Sequence, residues 1–187
     1  KAIFLCSPNN PSGNAFSNSQ MLDIIGKFDG IVVLDEAYID FCSIPSLIGK
    51  VEECGNLVVL QTMSKARGMA GLRLGMAFAS RRIIQLMSMV KYPYNINQAT
   101  QDNALARLQT PIDAQVEEII RERGMVAERL AGYPFISKIY PSEANFVLVK
   151  TDDAVALYEH LIADGGYGHT SSIYLNVQTE QEKLAEF

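Results

Sequence analysis

The sequence predicts an α/β fold in which a mostly parallel sheet carries flanking helices. Three short apolar runs, at residues 3–6, 31–34 and 57–60, are rich in branched side chains and do not alternate with polar residues. Runs of this kind are typical of strands that helices cover on both faces, as in parallel sheets. The segment between the first two runs has helical periodicity, so the chain is expected to open with a βαβ unit.

The first helix has a clear start signal. Ser17 and Gln20 have the spacing of a capping box, in which two side chains bond the free backbone N–H groups of a helix start. The apolar residues that follow recur at helical spacing, and they are Met21, Ile24, Ile25 and Phe28. A helix that buries one apolar face is therefore expected between the first two strands.

The remaining chain predicts three further strands and four helices. Pro111 is expected at the first position of the longest helix, where a missing backbone N–H is harmless. We place a domain boundary at this proline, which gives a larger piece at residues 1–110 and a linking helix with a smaller α+β piece at residues 111–187. The predicted strands are 74–79, 136–140 and 145–149, and the predicted helices are 81–90, 97–108, a long one from Thr110, and 153–163.

Composition and charge exclude several classes of function. Of the 187 residues 48% are hydrophobic and 20% charged, which is typical of a globular protein, and the net charge of -5 argues against a nucleic-acid surface. No apolar run approaches the roughly 20 residues that cross a bilayer, and no leader is expected. The 3 cysteines have neither CxxC spacing nor histidine partners, so we expect no disulfide framework, no metal site and a cytoplasmic location.

Three polar segments follow the strand-like runs and carry candidate functional residues. They are residues 7–13 (SPNNPSG), 35–38 (DEAY) and 64–75 (SKARGMAGLRLG). In an open parallel sheet, ligands bind beyond the carboxyl ends of the strands, so side chains that follow separate strands can converge on one crevice. The last segment offers a lysine for covalent chemistry and an arginine for an anion, which suggests pyridoxal phosphate as the ligand.

With these segments the chain resembles the fold-type I pyridoxal-phosphate aminotransferases, and within them the histidinol-phosphate aminotransferase subfamily. Residues 91–98 (KYPYNINQ) and 141–148 (PSEANFVL) set that subclass, and the resemblance covers residues 1–150. It implies transfer of an amino group from L-histidinol phosphate to 2-oxoglutarate in histidine biosynthesis, by a homodimer with sites at the subunit interface. It also implies that residues 1–110 bind the cofactor and that the chain lacks a long N-terminal portion of the family fold.

The resemblance assigns catalytic roles to three residues. Lys65 matches the lysine that holds pyridoxal phosphate covalently and then moves a proton as a base. Asp35 matches the carboxylate that faces the pyridine nitrogen and keeps it protonated. Tyr38 matches a hydroxyl that hydrogen-bonds the oxygen of the cofactor ring and stabilises its ionised form.

Three further residues match cofactor-binding positions in the family. Asn10 corresponds to a second donor to the ring oxygen. Ser64 and Arg73 correspond to the phosphate ligands, a hydroxyl beside the lysine and a guanidinium able to grip two oxygens. Arg67 stands where the family has a bulky apolar residue, and we assign it no role.

Other interpretations stay open. Residues 31–36 (IVVLDE) are also typical of the acidic strand end of a P-loop ATPase, although the loop GxxxxGK[ST] occurs nowhere in the chain. A threonine-phosphate decarboxylase-like enzyme or a broader amino-acid aminotransferase would use the same cofactor residues, and an inactive scaffold would use none. The family pattern expects a substrate-binding arginine where Tyr174 stands. Three explanations for the tyrosine at this position are open: residues missing around 165–172, a different acceptor substrate, or a chimeric chain. We favour the first.

Overall fold

A four-stranded sheet organises the first half of the chain. The computed structural model describes residues 1–165. The strands lie in the order β1 (Ala2–Cys6), β2 (Ile31–Asp35), β3 (Leu57–Thr62) and β4 (Gly75–Ala79). The first three run parallel, as predicted, whereas β4 is antiparallel to β3. The sheet is therefore mixed, with its parallel part at the strands that precede the candidate residues.

Helix α1 (Asn18–Lys27) connects β1 to β2 and covers one face of the sheet. The predicted capping box is present, because the Ser17 hydroxyl accepts from the backbone N–H of Gln20 while the Gln20 side chain accepts from that of Ser17. The apolar face of α1 packs on alternate residues of β2 and β3, which removes it from water and holds the helix on the sheet. This core cluster contains Met21, Ile25, Val32, Leu34, Leu47, Leu57 and Val59.

Coverage of the sheet is uneven. Residues 57–59 of β3 are all buried, as expected for a strand with both faces covered. Phe4 in β1 is 75% exposed, so the prediction that helices cover both faces is wrong for this strand. Within residues 1–165 no further strand pairs with the outer edge of β1 or of β4.

The later helices are α2 (Val51–Cys54), α3 (Arg81–Val90), α4 (Gln98–Leu108), α5 (Asp113–Leu130) and α6 (Ala154–Gly165). The prediction that Pro111 takes the first helical position is wrong, because α5 begins at Asp113 and Ile112 is its N-cap. Ile112 is buried in a second core cluster together with Ala66 and Val116. The helix thus begins two residues later than predicted, at a point where the Ile112 side chain is buried. The local sequence does not reveal this burial.

A small antiparallel pair, β5 (Ile136–Ile139) and β6 (Val149–Thr151), follows α5. The predicted strand at 145–149 is wrong in its bounds, because the observed strand begins at Val149. Residues that precede it make hydrogen bonds to other parts of the chain. The backbone N–H of Glu143 donates to the carbonyl of Gly13 at 2.7 Å, and the carbonyl of Ala144 accepts from Arg123 Nη1 at 2.7 Å. The segment before β6 is therefore tied to the loop after β1 and to α5.

The second core cluster draws residues from both sides of position 110. Its buried members are Tyr38, Phe41, Ala66, Ile112, Val116 and Ala144. The division into residues 1–110 and 111–187 stays a prediction, and the predictions for residues 166–172 and Tyr174 lie outside the described residues. Among the helices of residues 1–165, none combines the length and apolar character that a bilayer span requires.

Candidate active site

An open pocket lies beyond the carboxyl ends of β2 and β3. Its volume is about 510 Å³. Four of the six predicted site residues line it, namely Asp35, Ser64, Lys65 and Arg73. They come together because β2 and β3 are parallel, with Asp35 opposite Leu60 in the ladder, so that the segments after both strands emerge at one edge.

Lys65 stands in a tight turn directly after β3. Its side chain is exposed, whereas Met63 and Ala66 on either side of it are fully buried. The ammonium lies 5.0 Å from the centroid of the Tyr38 ring, within the range of a cation–π contact. The buried neighbours anchor the turn while the Lys65 side chain stays exposed.

Asp35 is the last residue of β2 and is half-buried at the pocket wall. Its Oδ1 accepts a hydrogen bond from the backbone N–H of Ala37 at 2.9 Å, which fixes the carboxylate against its own turn. Cys6 is its ladder partner in β1. Burial raises the pKa of the Cys6 thiol above its ordinary 9.0, the Asp35 charge raises it further, and a backbone hydrogen bond at Asn10 works in the opposite direction.

Tyr38 and Asn10 form a pair beside the pocket, although neither is among its lining residues. The Asn10 amide Nδ2 donates to Tyr38 Oη at 2.9 Å. Tyr38 is only 6% exposed, and its ring meets that of Phe146 edge-on, with 5.4 Å between centroids. The structure thus links both residues to Lys65 through the ring of Tyr38.

Arg73 lies on the far side of the turn that carries Lys65. Its φ is 52°, a left-handed conformation that is uncommon for residues other than glycine. Two backbone hydrogen bonds hold this geometry. The N–H of Arg73 donates to the carbonyl of Ala70 at 3.3 Å, and the N–H of Met63 donates to the carbonyl of Leu74 at 3.2 Å. The guanidinium is exposed and Nη1 contacts the Ala70 carbonyl at 3.2 Å, so most of its donors face the pocket or solvent.

Sequence reasoning missed the role of Glu36, which is 2% exposed. Its carboxylate accepts from Ser46 Oγ at 2.5 Å, from the backbone N–H of Leu47 at 2.9 Å and from Gln61 Nε2 at 3.0 Å. These bonds join the turn after β2 to the end of β3, where Gln61 lines the pocket. The alternation of side chains along a strand could have indicated this role, because it places the Glu36 side chain on the opposite face of the sheet from Asp35.

Arg67, to which the sequence assigns no role, is half-buried. Its Nη1 lies 3.5 Å from the carbonyl of Arg107 at the end of α4. In residues 1–165, no cluster of three or more His, Cys, Asp or Glu side chains is placed to hold a metal ion.

This fold and pocket define a known class of enzymes. The family model "Aminotransferase class I and II" matches residues 1–182, and the chain belongs to that family. A histidinol-phosphate aminotransferase of Parabacteroides distasonis is 50% identical over 167 residues, which make up 88% of this chain and 48% of that protein. The chain therefore spans about half the length of the curated relatives it matches, and the predicted resemblance is confirmed.

Solved structures agree with the fold prediction. The crystal structure of the histidinol-phosphate aminotransferase from Clostridium acetobutylicum aligns with a TM-score of 0.78 at 25% identity, over 87% of this chain and 52% of that one. The enzyme from Sinorhizobium meliloti, crystallised in complex with pyridoxal-5'-phosphate, aligns with a TM-score of 0.77 at 24% identity, over 88% of this chain and 47% of that one. The predicted fold class is thus confirmed, while the roles of the six residues stay predictions.

The residues of the pocket fit pyridoxal phosphate, on which the family depends. Lys65 offers an amine for the aldehyde of the cofactor, and Asp35 offers a carboxylate for its ring nitrogen. Ser64 and Arg73 offer a hydroxyl and a guanidinium, the donors that suit a phosphate group. The volume of about 510 Å³ lies within the usual range of cofactor sites, roughly 300–1,000 Å³.

Proposed function

We propose that the full-length protein is a pyridoxal-phosphate-dependent aminotransferase that transfers an amino group from L-histidinol phosphate to 2-oxoglutarate, in histidine biosynthesis. The observation that carries this proposal is the presence of Lys65, Asp35, Ser64 and Arg73 around one pocket. The substrate is proposed from the relatives' names at 46–50% identity. We also propose that the protein acts as a homodimer in the cytoplasm.

The proposed chemistry divides between the cofactor and the side chains. When bound, pyridoxal phosphate supplies an electron sink for the substrate carbon that loses its proton. Lys65 would hold the cofactor covalently, and its free amine would serve as the base that holds and moves the α-proton of the substrate. Asp35 holds a proton on the ring nitrogen through its negative charge.

The other residues bind and orient. Because Asn10 donates to Tyr38 Oη, the hydroxyl hydrogen of Tyr38 remains available for a second acceptor, and we assign it to the ring oxygen of the cofactor. Ser64 and Arg73 would hold the phosphate and thereby position the cofactor relative to Lys65. Holding the phosphate is a positioning role.

The test is the absorption band of covalently held cofactor in the full-length protein. The unmodified protein should give this band with added pyridoxal phosphate, and Lys65→Ala should abolish it. Lys138→Ala is the matched control, since Lys138 also lies over a tyrosine ring, 4.4 Å from the centroid of Tyr140, yet stands apart from the pocket. A band that survives Lys65→Ala contradicts the assignment.

Half-reactions identify the substrate. The loaded protein should lose the band with L-histidinol phosphate and regain it with 2-oxoglutarate. Release of carbon dioxide from L-threonine phosphate, without any need for a 2-oxo acid, would indicate a decarboxylase instead. Activity with many amino acids and none with histidinol phosphate would indicate a broader aminotransferase.

A further inference from the structure

Two backbone carbonyls near Lys65 accept hydrogen bonds from N–H groups of the same turn. The Lys65 carbonyl accepts from the N–H of Gly68 at 2.9 Å, and the Met63 carbonyl accepts from the N–H of Met69 at 3.0 Å. The carbonyls of the next two residues, Ala66 and Arg67, have no such local partner among the backbone bonds of residues 1–165. These two carbonyls directly follow the lysine, so their partners influence where the amine stands.

Two side chains from the α4–α5 region satisfy these carbonyls. Gln115 Nε2 donates to the carbonyl of Ala66 at 3.2 Å, and Arg107 Nε donates to that of Arg67 at 3.1 Å. Arg107 Nη2 also donates to Gln115 Oε1 at 3.2 Å, which orients the amide so that its N–H faces the turn. We call Arg107 and Gln115 the carbonyl clamp.

The clamp rests on a packed base. Arg107 lies in the last turn of α4 and Gln115 in the first turn of α5, and between them Ile112 is buried against Ala66 and Val116. The return contact from Arg67 Nη1 to the Arg107 carbonyl makes the connection reciprocal. A bond from a guanidinium is stronger than one between neutral groups, so the Arg107 arm is expected to hold more tightly.

We propose that Arg107 and Gln115 are positioning residues for Lys65, which hold the two carbonyls after the lysine and so set the place of its amine in the pocket. This inference rests on the proposed function of Lys65. Neither side chain lines the pocket, and both act through the backbone of the turn. A displaced amine reacts more slowly, and the cofactor attached to it meets different neighbouring charges, so the rate of attachment and the pH midpoint of the covalent band should both change.

The test uses the full-length protein and two measurements with pyridoxal phosphate, the rate at which the covalent band appears and the pH midpoint of that band. Gln115→Met and Gln115→Glu both remove the donor to Ala66. Each should slow attachment by roughly tenfold and move the midpoint by about half a pH unit or more. Gln109→Met is the matched control, because Gln109 is exposed at the end of α4 and outside the clamp.

Arg107 provides a second, independent arm of the experiment. Arg107→Met removes every donor of the guanidinium and should slow attachment as much as Gln115→Met does. An Arg107→Met variant that attaches the cofactor at the rate of the unmodified protein would overturn the clamp.

The two proposals fail in different ways. Absence of the band in the unmodified protein refutes the proposed function of Lys65. A normal band there, together with clamp variants that lower only the thermal midpoint and leave rate and pH midpoint unchanged, refutes the positioning role alone. Thermal melting of each variant therefore accompanies the spectroscopy.

Discussion

Replacing Gly13 by alanine should destabilise the protein through two separable effects. Gly13 has a φ of +74°, and a Cβ there would lie 2.6 Å from Ser142 Oγ, 2.9 Å from its Cβ and 3.2 Å from its Cα. The left-handed backbone costs an alanine about 1–2 kcal/mol, and forced overpacking adds about 1–3 kcal/mol. The lower chain entropy of unfolded alanine offsets about 0.4–1 kcal/mol, which leaves a net loss of roughly 1–5 kcal/mol, centred on about 3 kcal/mol.

Gly55 offers the matched control for this substitution. Its φ is +68°, but a Cβ there would meet nothing within 4 Å. Gly55→Ala therefore carries the backbone cost alone, and the loss should be about 1 kcal/mol. Gly26 in α1 has neither a positive φ nor a close neighbour, so Gly26→Ala should raise stability by about 0.5–1 kcal/mol.

Urea unfolding of the three variants measures these differences directly. Equal losses for Gly13→Ala and Gly55→Ala would refute the reasoning, because the contact with Ser142 would then contribute nothing. The double variant Gly13→Ala with Ser142→Gly removes two of the three close atoms, so its loss should be smaller than the sum of the single losses. A simple sum would also count against the packing argument.

Three further predictions concern the site. Tyr38→Phe removes the acceptor of the Asn10 amide and should lower the free energy of unfolding by about 1 kcal/mol in urea. Glu36→Leu leaves three donors without their acceptor and should cost about 3 kcal/mol or more, while exposed Glu53→Gln changes stability little. Because burial raises the pKa of Cys6, iodoacetamide alkylation of this thiol, followed on its peptide, should have a pH midpoint above 9.0. The folded state favours the protonated thiol, so this contribution to stability is complete below the unfolded pKa and is lost as pH rises through the folded one.

Much of the fold follows from local patterns, because strand runs and helix caps are short-range signals. The capping box at Ser17 and the branched runs of the three parallel strands needed no knowledge of the rest of the chain. The direction of β4, by contrast, does not follow from a local pattern. Residues 63–74 are long enough either for a crossover to a parallel strand or for a return to an antiparallel one, so sequence alone could not decide between them.

The errors occur where distant contacts override local preference. Pro111 suits a first helical position, yet burial of Ile112 accompanies a start at Asp113. The run at 145–149 has strand propensity, yet Phe146 packs on Tyr38 and only Val149 continues into the ladder. In both cases the competing contact comes from a residue far away in sequence, which periodicity cannot detect.

The candidate site shows the same division. The polar segments after β2 and β3 could be expected to meet, since parallel neighbours end at one edge. The Glu36 network and the clamp at Arg107 could not be foreseen, because their partners stand on other elements whose placement depends on the tertiary fold. The residues proposed to touch a ligand thus had sequence signals, whereas those that hold them in place had few.

The ring of Tyr38 belongs at once to the apolar interior and to the polar surroundings of Lys65. A natural lineage cannot therefore alter the volume of residue 146 freely, because a new shape there tilts the ring that Asn10 and Lys65 both contact. Sequence drift in this part of the interior is expected to proceed by compensating pairs of substitutions. Directed evolution toward other amino substrates could use the contact between residues 38 and 146 by randomising both positions together.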